Sequence, residues 1–320
     1  MAVAPDTLAR FRGDLAVLAG GEPERIGIAL SGGPDSLALL LLAAAAWPGR
    51  VEAATVDHKL RTESAAEAGA AAACCAAIGV AHAVLAPDWP EAPAANVQAE
   101  ARAARYAALG RWARERGLAL VATAHHADDQ AETLLMRLAR GAGIGGLAGV
   151  RARRALADGV VLVRPLLGWR KAELVEIVRA AGLTPADDPS NRDARYDRTR
   201  ARALLAEANW PAPERLAAAA AHLAEAEEAL AWTAERLWEE RVREDGDGLR
   251  LATEGLPREL KRRLLAAALA RLGAEAPPGP KLIRLIEALE QGETGTLAGV
   301  LARPAGTDWL LTPAPPRTPR

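Results

Sequence analysis

From residue 26 to about residue 180, short apolar runs alternate with longer helix-forming segments, and no other feature constrains the fold as tightly. The strand candidates are Ile26–Leu30, Val51–Asp57, Ala81–Leu85, Leu118–Ala124 and Val160–Arg164. Between them lie Ser36–Trp47, Ser64–Ile78, Ala95–Arg116 and Asp128–Arg140, all rich in helix formers. Apolar runs of this kind, each followed by a helix, predict an α/β fold with a doubly wound, mostly parallel sheet covered on both faces. Ligands in such sheets bind outside the carboxyl ends of the strands. Ser31, Asp57 and His125 each fall near such an end, so they are expected to share one site.

The pattern changes towards the second half. Residues 182–202 are turn-rich and charged, and "NWPAP" at 209–213 breaks the chain. Residues 214–243 predict one long helix opened by Pro213 and Glu214. Segments 257–272 and 280–291 predict two more, separated by "GAEAPPGP", and the closing "PAPPRTP" reads as a frayed tail. The expected division is a catalytic domain over 1–208 and a smaller helical domain over 209–320. The helical part has apolar stripes at helical spacing but almost no candidate catalytic groups.

Composition narrows the class. Half of the 320 residues are apolar and a quarter are charged, as in a globular chain with a substantial core. The formal net charge is −1, so any nucleic-acid site has to be a local patch rather than a global field. Cys74 and Cys75 are adjacent in an Ala-rich helical stretch, where neighbouring side chains diverge. A disulfide or metal pair is not expected there, and buried thiols in a reducing compartment are. Asp6, Arg10, Arg12 and Asp14 interrupt the first twenty residues, which argues against a signal peptide. The longest apolar run, Leu37–Trp47, is about half of what a membrane span requires. The expectation is a cytoplasmic protein with no membrane partner; the sequence is compatible with a homodimer and carries no signature of it.

Within the first strand–helix junction, "ALSGGPDS" at 29–36 places Gly32 and Gly33 where backbone amides can approach an anion closely. Ser31 and Ser36 offer hydroxyls, and the following helix aims its first N–H groups at the same point. Gly-Gly before a helix is also an ordinary tight turn, and Asp35 also suits a helix N-cap. A Walker A loop would require a lysine, and none lies near. The string Ser31-Gly32-Gly33-Pro34-Asp35-Ser36 resembles instead the SGGxDS loop of the N-type ATP pyrophosphatases. That resemblance implies a Rossmann-like PP-loop domain that splits ATP between its α and β phosphates. It implies ATP contacts from Ser31 to Ser36, with Asp35 holding Mg2+, and Asp57 and His58 bordering the nucleotide.

Four further motifs choose among these enzymes: "VDHKLR" (56–61), "NVQAEARAARY" (96–106), "AHHADDQAETLLMRLARGAGIGGLAG" (124–149) and "DDPSNRDARYDRTRAR" (187–202). With "RPLL" at 164–167, they resemble the tRNA(Ile)-lysidine synthetase family across the whole catalytic domain. Membership implies two partners, a CAU-anticodon tRNA(Ile) and L-lysine. It implies that ATP adenylates the 2-carbonyl oxygen of the wobble cytosine and that the lysine ε-amine then displaces AMP. Asp129 and Glu132 stand three apart at the head of a helix and share a face. The resemblance makes them lysine-binding acids; acids favoured by the helix dipole are the plainer reading. Either His125 or His126 can face phosphate or base, His125 being the candidate taken here, and both can also be structural strand-end histidines. His58 is as readily structural as functional.

Between 137 and 171, eight cations (Arg137, Arg140, Arg151, Arg153, Arg154, Arg164, Arg170 and Lys171) face one acid, Asp158. Beside an ATP site, such a stripe suits an RNA backbone, although any one arginine can simply be solvated. Arg195, Arg198 and Arg200 extend the stripe, with Tyr196 available for stacking. Arg102 and Arg105 lie on the helix after Asn96 and can reach ATP phosphate or the anticodon loop. The chain departs from the family where Arg198-Thr199-Arg200 replaces R-N-R, and where Lys59 replaces a commoner glycine. It also ends near 320, where longer relatives continue into another domain, so the helical half is expected to supply that recognition. Two other readings remain: a tRNA 2-thiocytidine synthetase, which needs C-x-x-C cysteines absent here, and a non-catalytic nucleotide- or RNA-binding relative.

Overall fold

The computed structural model describes residues 3–57, 64–87, 97–183, 197–207, 211–275 and 277–315. His58, Lys59, Asn96, Arg195 and Tyr196 lie outside them. Two compact units emerge, Met1–Ala224 and Glu225–Arg320.

The first unit opens with α1 (Pro5–Ala19), then β1 (Ile26–Ala29), α2 (Pro34–Ala46), β2 (Val51–Val56), α3 (Ser64–Ala77), β3 (Ala81–Leu85) and α4 (Val97–Glu115). It continues with β4 (Leu120–Ala122), α5 (Ala127–Ala139), the short α6 (Ile144–Leu147), β5 (Arg153–Ala157), β6 (Val160–Val163), α7 (Lys171–Ala180) and α8 (Asp197–Glu207). The six strands form one sheet in the order β3-β2-β1-β4-β6-β5. All pairs are parallel except β5 with β6, a hairpin turned at Asp158-Gly159. The strand order reverses between β1 and β4, and the crevice above that switch is where a doubly wound sheet binds its ligand.

Helix α2 explains the apolar run at 37–46. It is hydrophobic on all sides because it is buried, with Leu37, Leu39, Leu40, Leu41 and Leu42 all at most 6% exposed. Each such leucine contributes about 2 kcal/mol relative to exposure. Helices α1 and α7 pack against α2, and Phe11 fits between Trp47 and Trp169 with ring centroids 5.8 and 6.5 Å away. This rigid base fixes where α2 begins, and so where the glycine loop sits.

Helix α9 (Pro213–Arg241) contains the division between the units. The second unit then has β7 (Val242–Asp245), β8 (Gly248–Ala252), α10 (Arg258–Arg271), α11 (Gly279–Glu290), β9 (Gly295–Leu297), β10 (Val300–Ala305) and β11 (Asp308–Pro313). The expected helices are present at 213–241, 258–271 and 279–290, but so is an antiparallel five-stranded sheet, β7-β8-β11-β10-β9, that the helical reading omits. Leu249, Leu251, Trp309 and Leu311 of the sheet share a core with Leu264, Leu265, Leu285 and Ile286 of α10 and α11. Pro313, expected in a frayed tail, pairs with Val300 at the end of β11. Among the described residues no helix is long and apolar enough to cross a membrane.

Candidate active site

The loop after β1 is held shut by Ser36. Gly32 has φ +82°, a left-handed conformation that a side chain would strain, and Gly33 is the N-cap of α2, with Pro34 at the first helical position. The Ser36 hydroxyl donates to the Gly33 carbonyl (2.9 Å), accepts from the Ser31 amide (3.2 Å) and lies 3.1 Å from the Ser31 hydroxyl. Ser36 is buried and shapes the loop from within, whereas Ser31 is exposed. The helical N–H groups just after Gly33 have no partner within the helix and open onto the same crevice.

Strands β1 and β4 are direct neighbours, Ile28 opposite Ala122, so the glycine loop and the loop at 123–126 lie side by side. Here the two histidines separate. His126, the N-cap of α5, is buried with Nε2 3.5 Å from both Asp35 Oδ2 and Asp129 Oδ2, and Nδ1 3.6 Å from Asp128 Oδ2. Burial alone would lower its pKa; the surrounding Asp128, Asp35 and Asp129 more than offset this and raise it to about 10. His126 is therefore an imidazolium at neutral pH and ties the loop acid Asp35 to the acids of α5. His125 takes the opposite course. Its Nδ1 meets Thr123 Oγ1 at 3.1 Å, and burial, joined by Arg164, Arg102 and Arg198 against the pull of Asp129, lowers it to about 3. His125 is neutral.

The two acids expected to bind lysine do share a face, and α8 covers them. Arg198 bridges both, Nε to Glu132 Oε2 at 2.8 Å and Nη2 to Asp129 Oδ1 at 3.2 Å. Arg202, one turn later, donates from Nε to Glu132 Oε1 at 2.8 Å. Glu132 is 4% exposed at its side chain, so both guanidiniums are needed to compensate its buried charge. Burial pushes the Asp129 carboxyl up, but the His126 and Arg198 charges hold it below the usual carboxylate range. Arg198, expected to contact RNA or phosphate, is thus engaged with acids. Asp128 is a structural tie: it accepts from the Lys171 amide (2.8 Å), and with Arg170 it anchors the start of α7.

The basic stripe divides in the same way. Arg137 donates to the carbonyls of Gly146 (2.5 Å) and Gly149 (3.0 Å), so it pins the glycine-rich turn rather than reaching out. Gln130 holds that turn from the other side, exchanging two hydrogen bonds with Val150. Gly149 has φ +65°, and a Cβ there would stand 2.4 Å from Gln130 Oε1. Arg140 pairs with Asp197, and Arg170 with Asp128 and Glu214. Arg105 and Arg200 are exposed. Three further cations, Arg102, Arg154 and Arg164, surround Tyr106 and have no ion pair to a described carboxylate. Arg154 stacks over its ring at 4.1 Å, Arg102 lies at 5.2 Å, and Arg164 Nη2 donates to its hydroxyl at 3.4 Å. Of the other expected site residues, Asp57 follows β2, its amide bonded to the Leu85 carbonyl. The roles of His126, Arg202 and Tyr106 were not anticipated.

Fold and loop define an ATP-binding class: the PP-loop domain family matches residues 9–208. The chain belongs, within that class, to the tRNA(Ile)-lysidine synthase (synthetase) family. The relative from Novosphingobium aromaticivorans is 49% identical over 96% of this chain and 93% of its own length, and that from Zymomonas mobilis 45% over 92% and 89%. Both are named tRNA(Ile)-lysidine synthase. Among solved structures, the tRNA thiolase NcsA from Methanococcus maripaludis is similar in fold, with a TM-score of 0.58 at 18% identity over 69% of this chain and 79% of that one.

Proposed function

We propose that the chain forms lysidine on a CAU-anticodon tRNA(Ile), using ATP to activate the wobble cytosine and L-lysine to replace its 2-oxygen. The observation that carries this reading is the linkage, through His126, of a pyrophosphate-type loop to an acid pair suited to a cation. Cytosine's 2-carbonyl is a poor electrophile until its oxygen leaves as AMP. Ser31 and the amides around Gly32 and Gly33 bind the departing pyrophosphate. Asp35 suits Mg2+: its Oδ1 is buried without a hydrogen-bond partner, a hard oxygen that a cation would satisfy alongside the phosphates. Bound there, the metal would neutralise charge on the pyrophosphate.

Lysine arrives as an ammonium, pKa about 10.4 in water. Asp129 and Glu132 receive it, exchanging the Arg198 guanidinium for the amine; that a guanidinium bridges this pair supports its fit to an alkyl cation. His125, held uncharged, adds no repulsion beside them. Sulfur insertion fits less well. Cys75 is buried with its thiol pushed up to about 12, Cys74 is raised as well, and both are far from the thiolate that sulfur transfer needs. Incubation with ATP, magnesium and labelled lysine is expected to label CAU-anticodon tRNA(Ile), with AMP and pyrophosphate as products. Entry of labelled sulfur instead, or no turnover with any tRNA, would overturn the reading.

A further inference from the structure

The cluster around Tyr106 is not part of the machinery just described. Arg102 stands in the first half of α4 and Tyr106 at its middle, Arg164 directly follows β6, and Arg154 is at the start of β5. Strand β5 runs antiparallel to β6, so Arg154 and Arg164 both lie at the carboxyl-end rim of the parallel strands, and the Tyr106 side chain meets them there with Arg102 beside it. That is the rim bearing the glycine loop and His125.

The charge balance there is unusual. Arg164 is only 3% exposed, and its Nε is buried with no hydrogen-bond partner; one Nη donates to the Arg151 carbonyl and the other to Tyr106. Arg154 and Arg102 flank the ring from the solvent side. No described carboxylate pairs with any of the three. A buried guanidinium with one N–H unmet and two more cations beside it is costly unless an anion completes the group. Arg154 lies over the ring with its guanidinium committed to no described carboxylate, and that planar fork of donors matches phosphate.

We propose that Arg102, Arg154, Arg164 and Tyr106 form a pocket for a backbone phosphodiester of the RNA substrate, next to the nucleotide that reacts. The proposal rests on the function proposed above, since it takes RNA to be the substrate. A phosphate of ATP has the same chemistry, but position separates the two sources. Strand β5 is three places from β1 in the sheet, about 14 Å at ~4.8 Å per strand, which is longer than a triphosphate held at Gly32 and Gly33 can reach. Burial is the main cause of the lowered His125 pKa, but Arg164 and Arg102 act on it too, so the cluster borders the crevice that holds His125.

Arg154→Gln tests the pocket on the full chain, with Arg154→Lys and Tyr106→Phe as companions. Binding of CAU-anticodon tRNA(Ile) is measured across a salt series, and KM for ATP and for lysine separately. Arg154→Gln is expected to weaken tRNA about 10-fold and to lower the slope of log K against log salt by about 1, leaving both KM values within about twofold. Arg154→Lys should restore the slope but only part of the affinity, because it keeps the charge and loses the stacked fork. Tyr106→Phe, which removes only the hydroxyl under Arg164, should weaken tRNA about threefold. A raised KM for ATP with tRNA binding unchanged would assign the cluster to the nucleotide and overturn the proposal. Unchanged tRNA affinity and slope would reduce it to a solvated patch and overturn it equally. If the wild type binds tRNA through this slope but incorporates no lysine, the functional reading fails while the pocket stands.

Discussion

His125 and His126 are consecutive residues with opposite surroundings. On the His126 side, Asp35, Asp128 and Asp129 gather around one imidazolium, and Arg198 and Arg202 close over Glu132. Around His125, Asp129 is opposed by Arg164 and Arg102, which flank Tyr106 and have no ion pair to a described carboxylate. One crevice thus has an acidic wall and a basic wall. Under the two proposals above, the cations, lysine and a metal, belong to the acidic wall and the RNA backbone to the basic one. If the assignment holds, substitutions on one wall leave the other substrate's binding alone.

The largest effect is expected at Asp35. Asp35→Ala removes both the orphaned Oδ1 and one of the acids holding His126. Adenylation, read as pyrophosphate release in the presence of tRNA, should fall on the order of 10³-fold while tRNA affinity changes little. Glu132→Gln comes next. It leaves Arg198 and Arg202 facing an uncharged amide, and KM for lysine should rise about 10- to 100-fold. Stability should drop by only about 1–2 kcal/mol, because both arginines are 39–44% exposed and screened by water. A Glu132→Gln enzyme with normal lysine KM and weakened tRNA would break the division between the walls.

The histidines give a smaller effect with opposite signs. His126 has a folded pKa raised above its ordinary 6.5, so its stabilising contribution is complete below about 6.5 and is lost as pH rises towards about 10. The stability gap between wild type and His126→Gln should therefore narrow as pH rises through that window. His125 is depressed, so the unfolded chain takes up the proton first. Its contribution is present above about 6.5 and is lost as pH falls towards about 3. Wild type should lose stability faster than His125→Gln on acidification. Thermal melts at several pH values, read as shifts of a few degrees, check both. Parallel behaviour of the two variants would mean that the aspartates around His126 do not outweigh its burial.

Why some of this was readable in advance and some was not follows from particular residues. Strands β1, β4 and β6 are buried in a parallel sheet and so present unbroken apolar runs, while β2 carries only a buried Glu52, paired with Arg25 and Arg116, and Thr55 among its apolar residues. Strand β5 is an edge strand whose Arg153, Arg154 and Ala155 are exposed, and only the Asp158-Gly159 turn betrays it. The second sheet left the same kind of trace. Gly246-Asp247, Ala298-Gly299 and Gly306-Thr307 are all two-residue hairpin turns, and Ala298 takes φ +49° to make one. Their strands are three to six residues long, short enough to be lost beside the strong helical stripes of α10 and α11. In the site, the loop and its acids were legible as motifs. Which histidine faces them was not, because in extended backbone neighbouring side chains point to opposite sides, and composition carries no phase. The meeting of Tyr106 with Arg164 joins residues 58 apart through the packing of α4 on β6, which no local pattern records.

The smallest expected effect tests whether compensation, rather than arginine content, is what marks the basic wall. Arg140 belongs to the same stripe as Arg154 and is more than half exposed, but its guanidinium is paired with Asp197. A surface pair of this kind is worth about 0–1 kcal/mol, and its net charge towards a phosphate is close to zero. Arg140→Ala should therefore weaken tRNA only about two- to threefold and shift the salt slope by much less than Arg154→Gln does. Asp197→Asn makes the contrast sharper. It frees Arg140 without adding a cation, so it should tighten tRNA slightly and steepen the slope. If Arg140→Ala instead costs as much as Arg154→Gln, the stripe acts as a diffuse field, and the lack of a described carboxylate around Tyr106 carries no special weight.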